Sequence, residues 1–343
     1  MAEGDVAKLS ARVRFGFGIG DLGGNLYFTL TGFYLLFYMT DVVRLPAALA
    51  GTAFMIGKIW DAVTDPVTGY VSDRTVSRWG RRRPYMAVGA VLLFGSMILM
   101  FSSPEAADPW VLFGIVTLLF CLLSLAYTLV NIPYAALLPE LTDDFDARTT
   151  LTGYRMVFAV LGTLIGAGDV LPLVDAFGGG RGGWLGMGAV TGFIMLASTF
   201  GTVLAIQEPQ RTPDSGGAGF IRTCIEVLGL RVFLKALIPW TLFIAGTSII
   251  QGSLIYFFTA IYGDPELFQV SLLFLLVTSL VFIPVWVLVS KRLGKRSSYI
   301  SGISLMSVGV VLFSIFGGPG RVLFAYIVMV GAGIGLSTHY VMP

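Results

Sequence analysis

Charge is what this sequence has least of. Only 12% of its 343 residues are charged, and acidic and basic side chains nearly cancel, leaving a net charge of +2. Nucleic-acid binders carry a basic patch or stripe, so a nucleic-acid partner is excluded. His339 is the single histidine, which rules out a metal centre built on imidazoles, and no cofactor is expected. Cys121 lies in an apolar run and Cys224 in a polar one, so the two cysteines form no disulfide framework. No cleavable leader is expected either. The residues up to Arg14 are polar, and the apolar run after them is far longer than the core of a signal peptide.

What remains is hydrophobic. Apolar residues make up 56% of the chain and the mean hydropathy is +0.84, against roughly 45–50% apolar and about 25% charged in soluble domains. These values specify an all-α integral membrane protein. A spanning helix needs about 20 mostly apolar residues. Such runs fall near 15–40, 46–72, 84–103, 109–138, 150–174, 184–206, 232–262, 267–290, 298–317 and 321–343, which makes about ten helices.

Basic residues set the expected orientation. "DRTVSRWGRRR" (73–83) holds five arginines, "KRLGKR" (291–296) holds four basic residues, and Lys8, Arg12 and Arg14 precede the first run. The alternate connections, "SSPEAADP", "FGGGRGG", "YGDPEL" and "FGGPGR", carry little charge. Positive loops stay inside, so a multi-pass protein of the cell (inner) membrane with a cytoplasmic N-terminus is expected. The longest polar stretch, 207–231, begins as a hinge, "QEPQRTPDSGGAG", and ends in "FIRTCIEVLGLR", a segment suited to an amphipathic helix on the membrane surface. It separates an N-terminal six-helix bundle, 1–206, from a second bundle, 232–343. The basic loop after the second helix recurs in both parts, as in transporters built from parallel repeats. With about four helices in the second part, the chain is expected to be a fragment lacking about two.

One stretch resists burial: "KIWDAVTDPVTGYVSDR" (58–74). On a helix Asp61 and Asp65 share a face about 6 Å apart along the axis, with Lys58 close to it. Each charge near mid-membrane costs about 2.5–3.5 kcal/mol, and such residues usually serve an ion path. Two neighbouring carboxylates also resist ionising together. A proton, Na⁺ or Li⁺ relieves that repulsion. The competing reading is a structural Lys58–Asp61 pair beside an Asp65 that caps a break at Pro66.

Several motifs in one order carry a resemblance. "WDAVTDPVTG" (60–69), "RWGRRRP" (78–84), "YMTDVV" (38–43), "NIPYAALLPELT" (131–142) and "GYRM" (153–156) resemble the glycoside–pentoside–hexuronide:cation symporters, the melibiose-permease branch of the major facilitator superfamily. The resemblance implies that fold, with twelve helices in two bundles. It also implies alternating access and symport of a sugar or glycoside with a cation, and no catalysis. It implies too that Asp61 and Asp65 bind the coupling cation, with Thr128 as a further site position. Asn131 beside Thr128 adds a neutral oxygen, and Arg155 matches a sugar-site arginine. The chain departs from the branch where acidic positions are Asn25 and Asn131 and where a sugar-stacking tryptophan is Ala135. Asparagine still donates and accepts, so polyol recognition stands while galactoside specificity does not. Asp21, one turn before Asn25, either supplies the missing charge or is a carboxylate exposed at the helix start. Tyr127 or Tyr154 is expected beside these residues. Asp73, Arg74, Gly80, Arg81 and Arg82 resemble the superfamily's gating loop, in which Asp73 facing arginines forms a latch or the arginines act on topology alone. The acidic loop 139–149 reads as a solvated face or as a partner of the basic loop beside it. The expected partners are a small-molecule substrate, a monovalent cation and the bilayer, with the protein acting as a monomer.

"GIGDLG" (18–23) fits the dinucleotide pattern but opens a membrane helix, without the βαβ unit that pattern requires. Two other functions compete. A Mg²⁺-dependent membrane transferase uses Asp-x-x-x-Asp pairs but needs a second acidic cluster, and Asp169 and Asp175, six apart at the far end of the fifth helix, do not supply it. A lysophospholipid carrier of the same fold remains open, since the sugar-site acids and tryptophan are gone.

Overall fold

In a bilayer the backbone finds no water, so each spanning segment must satisfy its own N–H and C=O groups, and helices do so. The structure, a computed structural model, describes residues 10–102, 104–105, 108–142, 144–208 and 226–341, and among these every regular element is helical. The first span is assembled from α1 (Ala11–Gly18), α2 (Gly20–Thr29), a π-helical turn (Leu30–Tyr34), α3 (Leu35–Phe37) and a second π-turn (Tyr38–Val42). There follow α4 (Ala47–Arg74), α5 (Arg83–Met100), α6 (Pro109–Leu141), α7 (Phe145–Gly168), the short α8 (Val170–Ala176) and α9 (Gly180–Ala205). The second half holds α10 (Arg231–Phe257) with a π-turn (Phe258–Tyr262), α11 (Pro265–Leu293), α12 (Lys295–Phe316) and α13 (Val322–Val341).

Local chemistry sets the boundaries. Asp108 accepts from the Trp110 amide at 2.7 Å, Asp144 from Ala147 at 2.8 Å and Asp264 from Glu266 at 2.8 Å, each capping the helix it precedes. Gly294, at φ 80°, ends α11 and starts α12, a left-handed position suited to glycine. Seven of the described helices are long and apolar enough to cross a membrane. The first span, with Asp21, Asn25 and several glycines, and α4, with its charges, are not among these seven. The fifth span begins five residues earlier than the hydrophobic run predicts, because the Asp144 cap starts it in polar sequence. It breaks at Asp169, where α8 begins. The expected surface helix in the linker lies on residues outside those described.

In the first half α4 and α5 pack on α6, α9 on α5, and α2 on both α7 and α9. Tyr38, Phe101 and Trp184 close the core of that half, with the Phe101 and Trp184 rings stacked 5.8 Å apart. In the second half α13 packs against α11 and α12. Contacts joining the halves cluster at the end remote from the arginine loop. There the Thr40 and Tyr256 hydroxyls share a 2.6 Å hydrogen bond, Phe268 meets the rings of Phe33 and Tyr34, and Gln269 donates to the Gly168 carbonyl.

Candidate functional site

Helix α4 runs unbroken through Pro66, so Asp61 and Asp65 fall one turn apart on it. Lys58 Nζ lies 3.2 Å from Asp61 Oδ2, over the rings of Phe54 and Phe120. The ammonium side chain is 44% exposed and Asp61 22%, so the protein encloses neither end of this pair fully. Asp65 is engaged differently: Thr128 of α6 donates to its Oδ1 at 2.7 Å. Asn131, three residues further along α6, is half-buried. Beside them Tyr27 and Tyr127 stack with ring centres 3.9 Å apart, and the Tyr27 hydroxyl meets Ser124 at 3.4 Å. Tyr127 lies within electrostatic range of Asp21, Asp65 and Asp61. Among the described residues no three His, Cys, Asp or Glu side chains gather to hold a metal. Two carboxylates with a hydroxyl are instead an oxygen set suited to a hard monovalent cation.

The residues expected at the substrate separate into two layers. Asp21 is buried and not exposed at a helix start: Arg155 of α7 donates from Nε to Oδ2 at 2.6 Å and from Nη2 to Oδ1 at 3.2 Å. The guanidinium also lies 5.0 Å from the Tyr134 ring and 5.7 Å from that of Phe17. One turn along, Asn25 on α2 and Ala159 on α7 help line a cavity of about 200 Å³ between the halves, closed by Thr163 and by Leu276, Ser279 and Ile283 of α11. Asn131, Arg155, Tyr127 and Tyr154 are not among its lining residues. Tyr127 is taken up by its stack, and Tyr154 packs against Gly18, where no side chain would fit.

The arginine loop turns on Gly80, at φ 99°. Arg82 reaches Asp73 at 2.6 Å and Glu140 at 3.2 Å, and Arg81 reaches Glu140 at 2.5 Å. Glu208, just past α9, accepts from the Arg82 amide at 2.9 Å, and Arg83 donates to the Val203 carbonyl. The loop thus ties α4, α6 and α9 of one half together. Arg74 instead lies over the Tyr70 ring at 3.6 Å. Sequence reasoning missed Glu208, which reads as linker, and Ser279, a small polar residue in an apolar run. Neither leaves a local signal.

Residues 16–343 match the family described as MFS/sugar transport protein. Similar curated proteins include an uncharacterized symporter of Synechocystis, 42% identical over 46% of this chain and 30% of its own length. The isoprimeverose transporter of Lactiplantibacillus pentosus is 31% identical over 96% of this chain and 69% of its own length. A putative glycoside/cation symporter of Escherichia coli is 29% identical over 78% of this chain and 59% of its own length. The chain therefore spans between about a third and two thirds of the length of these relatives. The solved D-xylose-proton symporter superposes with a TM-score of 0.58 at 14% identity, covering 96% of this chain and 78% of its own, a likeness of fold.

Proposed function

We propose a function from one premise: the chain belongs to the MFS/sugar transport protein family. It acts as a secondary active transporter, carrying a sugar or glycoside together with a monovalent cation by alternating access across the cell membrane. The observation that carries this reading is the pair Asp61 and Asp65 on α4, one of them bonded by Thr128, in a chain that also holds a cavity between two helical halves. A cation held by these oxygens neutralises a carboxylate that is otherwise costly at membrane depth. If its affinity differs between the two states of the carrier, its gradient biases the cycle and so drives the substrate.

The remaining roles follow from that cycle. Asn25 and Arg155 stand on the substrate side, Asn131 and Thr128 between substrate and cation, and Tyr127 links the two. The Asp73–Arg82 pair with Glu140 holds the ends of α4 and α6 as one rigid unit. The N-terminus and the arginine loop are cytoplasmic, and residues 1–206 and 232–343 move as two bodies about the linker. Names of similar proteins support cation coupling of a glycoside but leave Na⁺, Li⁺ and H⁺ as alternatives.

Uptake of radiolabelled glycosides and pentosides into vesicles under imposed Na⁺, Li⁺ or pH gradients tests the proposal. Accumulation above the equilibrium level with one gradient supports it. The largely apolar wall, with Met156, Leu164 and Leu280, also suits an amphiphile, so a lysophospholipid belongs in the same panel. Uptake of that compound alone would replace the sugar reading.

A further inference from the structure

The cavity is asymmetric in a way that bears on its ligand. Its three neutral polar side chains spend a donor on their own helix: Asn25 Nδ2 donates to the Asp21 carbonyl at 2.9 Å, Thr163 to Ala159 at 2.9 Å and Ser279 to Leu276 at 2.8 Å. What they turn toward a ligand is chiefly acceptor oxygen. Hydroxyl groups donate to such oxygens, whereas a carboxylate or sulfonate only accepts.

The charges point the same way. One turn from the lining residues Asn25 and Ala159, Asp21 and Arg155 neutralise each other through two hydrogen bonds, and both carboxylate oxygens are engaged. Further along, Lys58 is the cation paired with Asp61, and among the described residues Asp65 has no ion-pair partner. These five groups leave one negative charge over, which a monovalent cation would balance. An anionic substrate would meet no net positive charge, and would have to take Arg155 from Asp21 and leave that carboxylate buried without its partner.

Resting on the transport reading above, we infer that the substrate is a neutral polyhydroxylated molecule, a neutral sugar or glycoside, and that Asp21 excludes acid sugars by occupying the guanidinium of Arg155. Asp21 is a specificity-determining residue: it acts on the ligand through Arg155.

Two matched pairs test this: methyl β-D-glucoside against methyl β-D-glucuronide, and methyl β-D-galactoside against methyl β-D-galacturonide. Each pair differs only in a hydroxymethyl or carboxylate at C6. Binding to the purified full chain is measured at saturating coupling cation. The neutral member of at least one pair is expected to bind at least about tenfold more tightly, given the cost of placing like charges together. In Asp21→Asn the freed Arg155 narrows or reverses that ratio. Equal or tighter binding of the acid sugars by the wild-type protein overturns the charge-class inference and leaves transport standing. An unchanged ratio in a folded Asp21→Asn protein overturns the role of Asp21. Binding of none of the four overturns this inference, and the uptake panel of glycosides and pentosides then decides the sugar-transport proposal separately. The wild-type ratios decide the substrate class even where the variant does not fold.

Discussion

Asp65 carries one hydrogen bond that can be removed with almost no change of shape, the 2.7 Å bond donated by Thr128. Thr128→Val keeps the branched side chain and deletes the donor. With Na⁺ or Li⁺ as the ion, the lost hydroxyl is a lost oxygen ligand, so the cation concentration needed for half-maximal uptake should rise about tenfold, because about 1.4 kcal/mol is a factor of ten. With H⁺ as the ion, a carboxylate without its donor holds the proton more tightly and that concentration should fall. Cation-activation curves for sugar uptake check this, and an unchanged curve would take Thr128 out of the site. Gly80 makes a second test. Its φ of 99° disfavours any Cβ, and that Cβ would strike the Glu208 carboxylate. Gly80→Ala should therefore lower thermal stability by about 1–3 kcal/mol, as expected for a side chain forced into that region. Thermal unfolding in detergent reads the loss. A wild-type melting curve would mean the loop does not need this turn. Asp61, Asp65 and the arginine loop are legible in the sequence because charges in apolar surroundings stand out. The Asp21–Arg155 pair is not: its partners are 134 positions apart and nothing local links them.

Among elements, the first span and α10 share one feature, π-turns near the end remote from the arginine loop: Leu30–Tyr34 and Tyr38–Val42 in one, Phe258–Tyr262 in the other. Such turns concentrate at functional sites, and here they flank the contacts between the halves. The Thr40–Tyr256 bond is a polar member of that set, with the Gln269–Gly168 bond another, and the Phe37 and Tyr256 rings meet beside it at 5.9 Å. Tyr256→Phe keeps the ring and removes the bond. A neutral hydrogen bond contributes about 0.5–1.5 kcal/mol, so this end should open about two- to tenfold more often. A cysteine placed at Gly252, which lies under Leu36, should then react correspondingly faster with an impermeant maleimide added from outside. No change in rate would mean the aromatic contacts and the Gln269–Gly168 bond hold the closure without it. The π-turns are not legible in the sequence, because a helix that gains one residue per turn keeps the same apolar composition. The long spans are legible, since hydropathy over 20 residues leaves them little choice.

Across the whole molecule, two halves meet at one end, a cavity lies between them, and a pair of carboxylates lies on α4, which is not among the helices lining that cavity. Hydropathy and loop charge supply the order of spans, whereas the cavity is assembled from α2, α7 and α11, and only folding brings Asn25 beside Ser279. The account holds that the carboxylates couple the cation to movement of the halves and do not themselves bind the sugar. Substrate accumulation in vesicles, with and without a cation gradient, therefore tests it most directly in Asp61→Asn and Asp65→Asn. Both variants should equilibrate labelled substrate across the membrane yet fail to concentrate it under the gradient that drives the wild-type protein. Accumulation at the wild-type level in both would contradict the account and leave Asp61 and Asp65 as structural residues.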